Sequence, residues 1–286
     1  MSDPLLITPT VTRLIELALE EDLGRGDATT QAIIAPQTAA VAHLVARQRL
    51  IVAGLDLAAA VFRRLEPSLA TDVPVSDGAE VQAGTCIATY RGRATALLAG
   101  ERTALNFMQR LSGVATMTRA FVAAAQGSGM RITDTRKTTP GFRLLDKYAV
   151  RMGGGSNHRF DLGSGVLIKD NHVAVAGSVT EAVRRVKGRV PHSLKIEVEV
   201  DTLAQLDEAL AVGVDIVLLD NFSNPDLEKA WAAVRNAKPR PLIEVSGGVT
   251  LARIPELARL GVDLVSVGAL THSAPAVDLS LEMEIA

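Results

Sequence analysis

The chain has 286 residues, of which 48% are apolar and 22% charged, and its formal net charge is −2. This composition is ordinary for a globular protein that buries one large core or two smaller ones. Aromatic residues make up only 3%, too few for extensive stacking on bases, and the net charge gives no general attraction to phosphate backbones, so nucleic acid is excluded as a partner.

The N-terminal stretch and the cysteine content indicate where in the cell the protein resides. "MSDPLLITPTVTRLIE" has no basic segment followed by a sustained apolar run, so it predicts neither a signal peptide nor a membrane span. Cys86 is the single cysteine and cannot form an internal disulfide, which favours a reducing environment. We therefore expect a cytoplasmic protein that does not associate with membranes.

The first hundred residues predict an α+β domain. A helix is predicted over 8–22, and "AAVAHLVARQRLIVAG" (39–54) alternates like one strand. Two short strands around glycine turns are predicted within 75–92. These elements favour a sandwich-like domain with an antiparallel sheet. The C-terminal run within 271–286 also alternates, and it could add an edge strand to this domain.

The second half alternates short β-branched runs with amphipathic helical stretches, about one βα unit apart. Six strands are predicted, at 131–134, 166–169, 194–200, 215–219, 242–246 and 263–267. This rhythm predicts a parallel α/β barrel that is incomplete. The predicted domains are 1–110, joined by the tail 271–286, and 111–270, with the boundary inside a long helix.

The carboxyl ends of barrel strands are where active sites are built. The residues at these ends are cationic, acidic or glycine-rich: Asp134–Lys137, Lys169–His172, Glu199, Asp220–Asn221, Ser246–Gly248 and Gly268–Ala269. Lys195, Glu197 and Glu199 alternate along one strand and so point to one side. Lys195 and Glu197 are expected to form a structural ion pair.

Two glycine turns follow the last two predicted strands. A single "SGG" after a strand is often only a tight turn. Two such turns at the end of a barrel favour phosphate binding, because backbone N–H groups there can face an anion. Glu199 and Asp220 have two readings: ion pairs with nearby lysines, or ligands for Mg²⁺, which prefers one or two carboxylates and completes its shell with water and phosphates.

The stretch from Asp134 to His172 holds seven Lys or Arg residues against four Asp. Those of the predicted helix 141–151 (Arg143, Lys147, Arg151) are interpreted as a solvated face. Those in loops or at strand ends (Arg136, Lys137, Arg159, Lys169) are placed to bind carboxylates or phosphates. His158 is either an internally hydrogen-bonded residue or, beside Arg159, a substrate contact. A small polyanion with phosphates, a carboxylate and Mg²⁺ fits phosphoribosyl transfer.

The motifs "ERTALNFMQRLSGVAT", "DTRKTTPG", "KYAVRMGGGSNHR", "LIKDNH", "IEVEV", "VLLDNF", "EVSGG" and "SVGALTHS" resemble, in order and spacing, those of quinolinate phosphoribosyltransferase. The resemblance runs from residue 21 to the tail. It implies that quinolinate and phosphoribosyl pyrophosphate give nicotinate mononucleotide, pyrophosphate and CO₂ on the route to NAD. It also implies Mg²⁺ and a homodimer with a shared active site; hexamers occur in the family as well.

The resemblance implies roles for individual residues. It assigns substrate binding to Arg102 (from the partner subunit), Thr135, Arg136, Lys137, His158, Arg159, Lys169, Glu199 and Asp220. It assigns binding of the 5′-phosphate to Ser246, Gly247, Gly248, Val267, Gly268, Ala269 and His272. Lys137, Lys169, Glu199 and Asp220 are the catalytic set, with Glu199 and Asp220 serving the metal.

Three alternatives share part of this pattern. A paralogue found with molybdate transport would keep the phosphate turns but lose part of the carboxylate-binding set, which the intact "TRK" and "NHR" argue against. Nicotinate phosphoribosyltransferase has an acceptor with one carboxylate, whereas the number of cations here favours two. A non-catalytic sensor of phosphorylated metabolites would not need both Glu199 and Asp220.

Overall fold

A computed structural model describes residues 5–286 of the chain. The strands are β1 (Ala39–Ala46), β2 (Leu50–Ile51), β3 (Ala70–Asp72), β4 (Glu80–Val81), β5 (Cys86–Arg93), β6 (Arg131–Thr133), β7 (Val166–Ile168), β8 (Ile196–Val200), β9 (Ile216–Asp220), β10 (Leu242–Ser246), β11 (Leu264–Ser266) and β12 (Leu279–Ile285). The helices are α1 (Pro9–Leu23), α2 (Ala28–Ile33), α3 (Leu55–Leu65), α4 (Ala94–Ala124), α5 (Arg143–Met152), α6 (Asp170–Ala176), α7 (Val179–Lys187), α8 (Leu203–Val212), α9 (Asn224–Asn236), α10 (Ile254–Leu260) and α11 (Ala269–His272), with a 3₁₀ turn at Leu251–Arg253.

The chain forms two compact units. The first comprises the described residues up to Arg119, Thr139–Gly154 and Ser273–Ala286, and the second comprises Ala120–Thr138 and Gly155–His272. Helix α4 runs unbroken through residue 110, where the sequence places a domain boundary. The ranges 1–110 and 111–270 stay a prediction about domains. No helix within residues 5–286 combines the length and apolarity that crossing a membrane requires.

The first unit contains a four-stranded antiparallel sheet in the order β12-β1-β5-β3, and a separate pair of β2 with β4. The edge strand predicted in the C-terminal tail is confirmed as β12, which pairs with β1. The single strand predicted over 39–54 is wrong. Arg47, Gln48 and Arg49 are consecutive exposed polar residues that interrupt the alternation, so the segment divides into β1 and β2 in different sheets.

The helix predicted over 8–22 is confirmed as α1, whereas α2 and α3 were not predicted. The Thr8 side chain caps α1 by accepting from the Val11 N–H, and Pro9 occupies the first turn, where no N–H is needed. In α5, however, Lys147 is only 2% exposed. The interpretation of this helix as a solvated basic face is therefore wrong at Lys147.

The second unit contains a parallel sheet of six strands in the order β6-β11-β10-β9-β8-β7. All six predicted strands are confirmed. Within the described residues the end strands β6 and β7 do not pair, so the barrel is incomplete, as the sequence predicts. Parallel strands end together, and the sheet therefore delivers the predicted site residues to one edge.

Candidate active site

A cavity of about 390 Å³ lies at the carboxyl ends of the second unit's strands. It is lined by Thr135, Arg136, Lys137, His158, Arg159, Leu167, Lys169, Leu218, Asp220, Ser246 and Ser266. Eight of these residues belong to the predicted site. Leu167, Leu218 and Ser266 do not, although alternation along their strands places them on the same inward face.

Strand register explains why the polar residues converge. Ser246 is directly opposite Asp220, and Glu199 is opposite Leu218, two residues before Asp220. Residues two apart on a strand share a face. Glu199, Asp220 and Ser246 therefore project from the same face at neighbouring strand ends, which is the arrangement predicted from the sequence.

Two guanidinium groups, Arg136 and Arg159, line the cavity together with Lys137 and Lys169. The Nε of Arg136 is buried and has no hydrogen-bond partner in residues 5–286. Arg159 donates from Nη1 to the Gly165 carbonyl at 3.0 Å. Burial, followed by the charge of Arg136, lowers the pKa of the Arg159 guanidinium. Neither arginine is ion-paired to a carboxylate in the described part of the chain, so both can serve an anionic ligand.

Lys137 lies against the second glycine turn, Val267–Ala269. The Thr135 hydroxyl accepts from the Lys137 N–H at 3.0 Å, and the Lys137 carbonyl accepts from the Thr271 hydroxyl at 2.8 Å. A Cβ at Gly268 would be 3.1 Å from the Lys137 Cδ and 3.2 Å from the His272 Nε2. The lysine, the turn and the predicted phosphate residue His272 are thus brought together.

The first glycine turn, Ser246–Gly248, follows β10 and is braced by Asn221. The Asn221 N–H donates to the Ser246 carbonyl at 3.1 Å. Gly247 has a φ of 91°, and a Cβ there would lie 2.1 Å from the Asn221 Oδ1. Only glycine fits this backbone. The bare backbone suits close approach by an anion.

The two candidate metal-binding carboxylates have different neighbours. Glu199 forms an ion pair with Lys169 Nζ, and Asp220 accepts a hydrogen bond from the Asn221 amide at 2.7 Å. The ion-pair reading of Glu199 is thus realised in this structure. Asp220 lines the cavity, whereas Glu199 reaches it through its ion pair with the cavity residue Lys169. Carboxylate oxygens are the ligands that a hard cation prefers.

His158 has internal partners. Its Nε2 is 3.1 Å from Glu197 Oε2, and its Nδ1 accepts from the Arg159 N–H at 2.8 Å. The expected pair of Lys195 with Glu197 is wrong: Lys195 is exposed, and Glu197 turns inward to His158. Strand alternation predicts the inward face of Glu197 but does not identify which neighbour it contacts.

Arg102 is the remaining predicted site residue, and it is exposed on α4 in the first unit. Its role at the active site stays a prediction. Glu244, next to Glu197 and His158, was missed in the sequence. The available signal was its position two residues before Ser246, on the same face of β10.

Two family descriptions together cover almost the whole chain. Residues 27–112 match "Quinolinate phosphoribosyl transferase, N-terminal domain", and residues 114–282 match "Quinolinate phosphoribosyl transferase, C-terminal domain".

Individual relatives agree with these matches. A protein of Synechocystis named probable nicotinate-nucleotide pyrophosphorylase [carboxylating] is 44% identical over 93% of this chain and 90% of its own length. A nicotinate-nucleotide pyrophosphorylase [carboxylating] of Mycobacterium leprae is 44% identical over 94% and 95%. The crystal structure of NadC from Streptococcus pyogenes matches at a TM-score of 0.95, with 38% identity and full coverage of both chains. This chain therefore belongs to the quinolinate phosphoribosyltransferase family.

Proposed function

We propose that this chain transfers the phosphoribosyl group of phosphoribosyl pyrophosphate to quinolinate, releasing pyrophosphate and CO₂ and giving nicotinate mononucleotide for NAD synthesis. Family membership supports the reaction class. The observation that carries the choice of acceptor is the pair Arg136 and Arg159, with a buried guanidinium N–H that lacks a protein partner. The charge of Arg136 lowers the pKa of Arg159, and two like charges that interact in this way favour an anion between them.

Quinolinate suits this pair because its two carboxylates can accept from two guanidinium groups. Arg136, Arg159 and Lys137 would hold the carboxylates, with His158 shaping the pocket and Thr135 fixing the backbone of Lys137. An acceptor with one carboxylate would leave part of this charge without an anionic partner, which is costly in a partly buried site.

The ribosyl pyrophosphate is assigned to a second group of residues, which shares Lys137 with the acceptor pocket. Lys137 and Lys169 would contact the pyrophosphate, while Glu199 and Asp220 would contact the ribose hydroxyls. The 5′-phosphate would lie on the two glycine turns, held by the residues Ser246, Gly247, Gly248, Val267, Gly268, Ala269 and His272.

Mg²⁺ is proposed as the cofactor. Glu199 and Asp220 fit it, since they offer hard oxygen ligands on adjacent strands beside the proposed phosphate residues. When bound, Mg²⁺ would neutralise charge on the pyrophosphate leaving group. Lys169 supplies a positive charge next to Glu199.

The residues of this chain act by positioning and electrostatics. The pyridine nitrogen, oriented through its carboxylates by Arg136 and Arg159, attacks the anomeric carbon as the bond to pyrophosphate breaks. Lys137 and Lys169 stabilise the departing charge, and a carboxylate of the Glu199–Asp220 pair stabilises the cationic ribose. The resulting pyridinium withdraws the electron pair of the adjacent C–C bond, so CO₂ leaves and the ring carbon takes up a proton.

The assembly and compartment are proposals as well. We propose a homodimer, alone or within a hexamer, in which Arg102 of one subunit completes the site of the other. The composition, the single Cys86 and the absence of a spanning helix in residues 5–286 are compatible with a cytoplasmic location. No membrane or nucleic-acid partner is proposed.

A discontinuous assay tests the proposal. The purified chain is incubated with phosphoribosyl pyrophosphate and Mg²⁺, with quinolinate or nicotinate offered separately, and nucleotide and CO₂ are quantified. Equal amounts of nucleotide and CO₂ from quinolinate alone are expected. Product from nicotinate would refute the proposed acceptor, and no product from either would refute the proposed reaction.

A further inference from the structure

A second cavity, of about 420 Å³, opens at the amino ends of the same strands. Glu197 and Glu244 line this second cavity and not the first, whereas His158 and Arg159 line both. The two glutamates are only 4% and 2% exposed. His158 and its acidic neighbours therefore separate the proposed substrate cavity from the opening at the other end of the barrel.

Hydrogen bonds fix the proton position on His158. Its Nδ1 accepts from the Arg159 backbone N–H at 2.8 Å and so carries no proton. The proton of the neutral ring is consequently on Nε2, which faces Glu197 Oε2 at 3.1 Å and Glu244 Oε1 at 3.6 Å. Glu197 is the hydrogen-bond acceptor at these distances.

These three side chains also have the composition of a metal site, since their ligand atoms lie within 4.8 Å of one another. The hydrogen bond to Nδ1 argues against that use. A histidine that binds a metal through Nε2 carries its proton on Nδ1, which here accepts from an N–H. The geometry favours an Nε2–H donor over a metal ligand.

The segment that carries His158 is clamped on both sides. Buried Asp134 accepts from the His158 N–H at 2.9 Å and from the Asn157 amide at 2.6 Å. On the other side, Arg159 is tied to the Gly165 carbonyl. The ring adds a further link: its Nδ1 accepts from the Arg159 N–H and so fixes the backbone from which the Arg159 side chain starts.

We propose that Glu197 is a positioning residue for the acceptor pocket: by accepting the Nε2–H of His158 it keeps Nδ1 available for the Arg159 N–H and so orients the Arg159 guanidinium. This inference rests on the proposed function for its kinetic consequence. Glu197 does not line the proposed substrate cavity; it contacts His158, and its charge also acts on Arg159. Glu244 lies beside the same nitrogen, 3.6 Å from Nε2, and its burial keeps water from competing for the Nε2–H.

Two variants of Glu197 distinguish its role as a hydrogen-bond acceptor from the effect of its side-chain volume. Glu197→Gln keeps an acceptor oxygen, whereas Glu197→Met keeps volume without one. Glu197→Met is expected to raise the quinolinate KM about tenfold or more, the effect of losing one charge-assisted hydrogen bond, with the phosphoribosyl pyrophosphate KM essentially unchanged. Glu197→Gln should restore most of the loss. Glu228→Met, at an exposed position of α9, is the matched control and should behave as wild type.

The ¹⁵N NMR signals of His158, assigned with a His158→Asn variant, provide a readout independent of activity. The wild type and Glu197→Gln should show the Nε2–H tautomer, and Glu197→Met should lose it. A protonated Nδ1 in the wild type would overturn the inference even if Glu197→Met does not fold. Equal changes in both KM values would also overturn it. If quinolinate is not a substrate at all, the proposed function fails, while the tautomer still tests the link from Glu197 to His158.

Discussion

The lone buried N–H of Arg136 makes this side chain the sharpest test of the acceptor pocket. Arg136→Ala removes one side of the guanidinium pair and leaves an acceptor carboxylate without its partner. We expect the quinolinate KM to rise roughly 100-fold, because a charged hydrogen-bonding group is left unpaired. Steady-state kinetics with each substrate varied in turn will measure the effect. Arg189→Ala removes an equivalent charge at an exposed site and should change nothing; similar kinetics in the two variants would refute the assignment.

Glu244 provides a prediction about pH and stability. Burial, and then the charge of Glu197, raises the pKa of Glu244 from its model-compound value of 4.5 to about 7. The folded protein therefore holds a proton that the unfolded chain has released, so stability is lost as the pH rises through this interval. His158 and Glu197 are the titratable groups that face it.

Glu244→Gln, which imitates the protonated acid, should not show this loss. Relative to wild type it should gain unfolding free energy as the pH rises from 4.5 to 8, the direction that the raised pKa of Glu244 implies. Denaturant unfolding at a series of pH values measures this difference. Glu228→Gln is the control, since its exposed carboxyl should give a curve parallel to wild type. A parallel curve for Glu244→Gln would contradict the raised pKa.

Single residues were predictable where their chemistry depends on strand position. Arg136, Arg159, Lys169 and Asp220 lie on one cavity because parallel strands end together. Partners inside the barrel were not predictable in the same way. Glu197 was paired with Lys195, its neighbour in the alternation, but it contacts His158, which comes from a loop 39 positions earlier in the sequence and whose path depends on tertiary structure.

At the level of elements, helix α4 contains a glycine, Gly113, because the C-terminal segment passes too close to the helix for any side chain at that position. A Cβ at Gly113 would lie 2.1 Å from the Pro275 carbonyl oxygen. The C-terminal segment is held to the helix nearby, where the Val277 N–H donates to the Gln109 carbonyl at 3.1 Å. Glycine is thus required here although it disfavours helix.

Gly113→Ala should therefore destabilise the protein by about 2 kcal/mol, since overpacking outweighs the gain in propensity. Asn106→Ala, at an exposed position of the same helix, should be neutral or slightly stabilising. Midpoints of thermal and denaturant unfolding compare the two. A higher midpoint for Gly113→Ala than for wild type would show that the C-terminal segment can move away from the added methyl group without loss of stability.

The periodicity of apolar residues predicted strands and helices well, because an element that buries one face has apolar residues at regular intervals. All six strands of the parallel sheet were found, since each is a short apolar run between amphipathic helices. The prediction failed at 39–54 because only three polar residues, Arg47–Arg49, separate the alternating run 39–46 from the apolar run 50–53, and no Gly or Pro marks a turn between them. Pairing partners, which place β1 and β2 in separate sheets, are properties of the folded chain.

For the whole molecule, the prediction concerns a site shared between subunits. Arg102 and Arg136 belong to different units of one chain, and the proposed dimer uses Arg102 from one subunit with Arg136 from the other. Arg102→Ala and Arg136→Ala should each be nearly inactive at low quinolinate. In a hybrid dimer, one site would contain both wild-type arginines and the other neither.

Mixing the two variants in equal amounts should therefore restore activity to about a quarter of wild type, because half of the randomly exchanged dimers are hybrids with one intact site each. Native mass spectrometry of the mixture establishes that hybrids form. Each variant mixed with itself is the control and should recover nothing. Demonstrated exchange without recovery would place Arg102 outside the partner's site, and the cationic pocket would then consist of Arg136, Lys137 and Arg159 from one subunit.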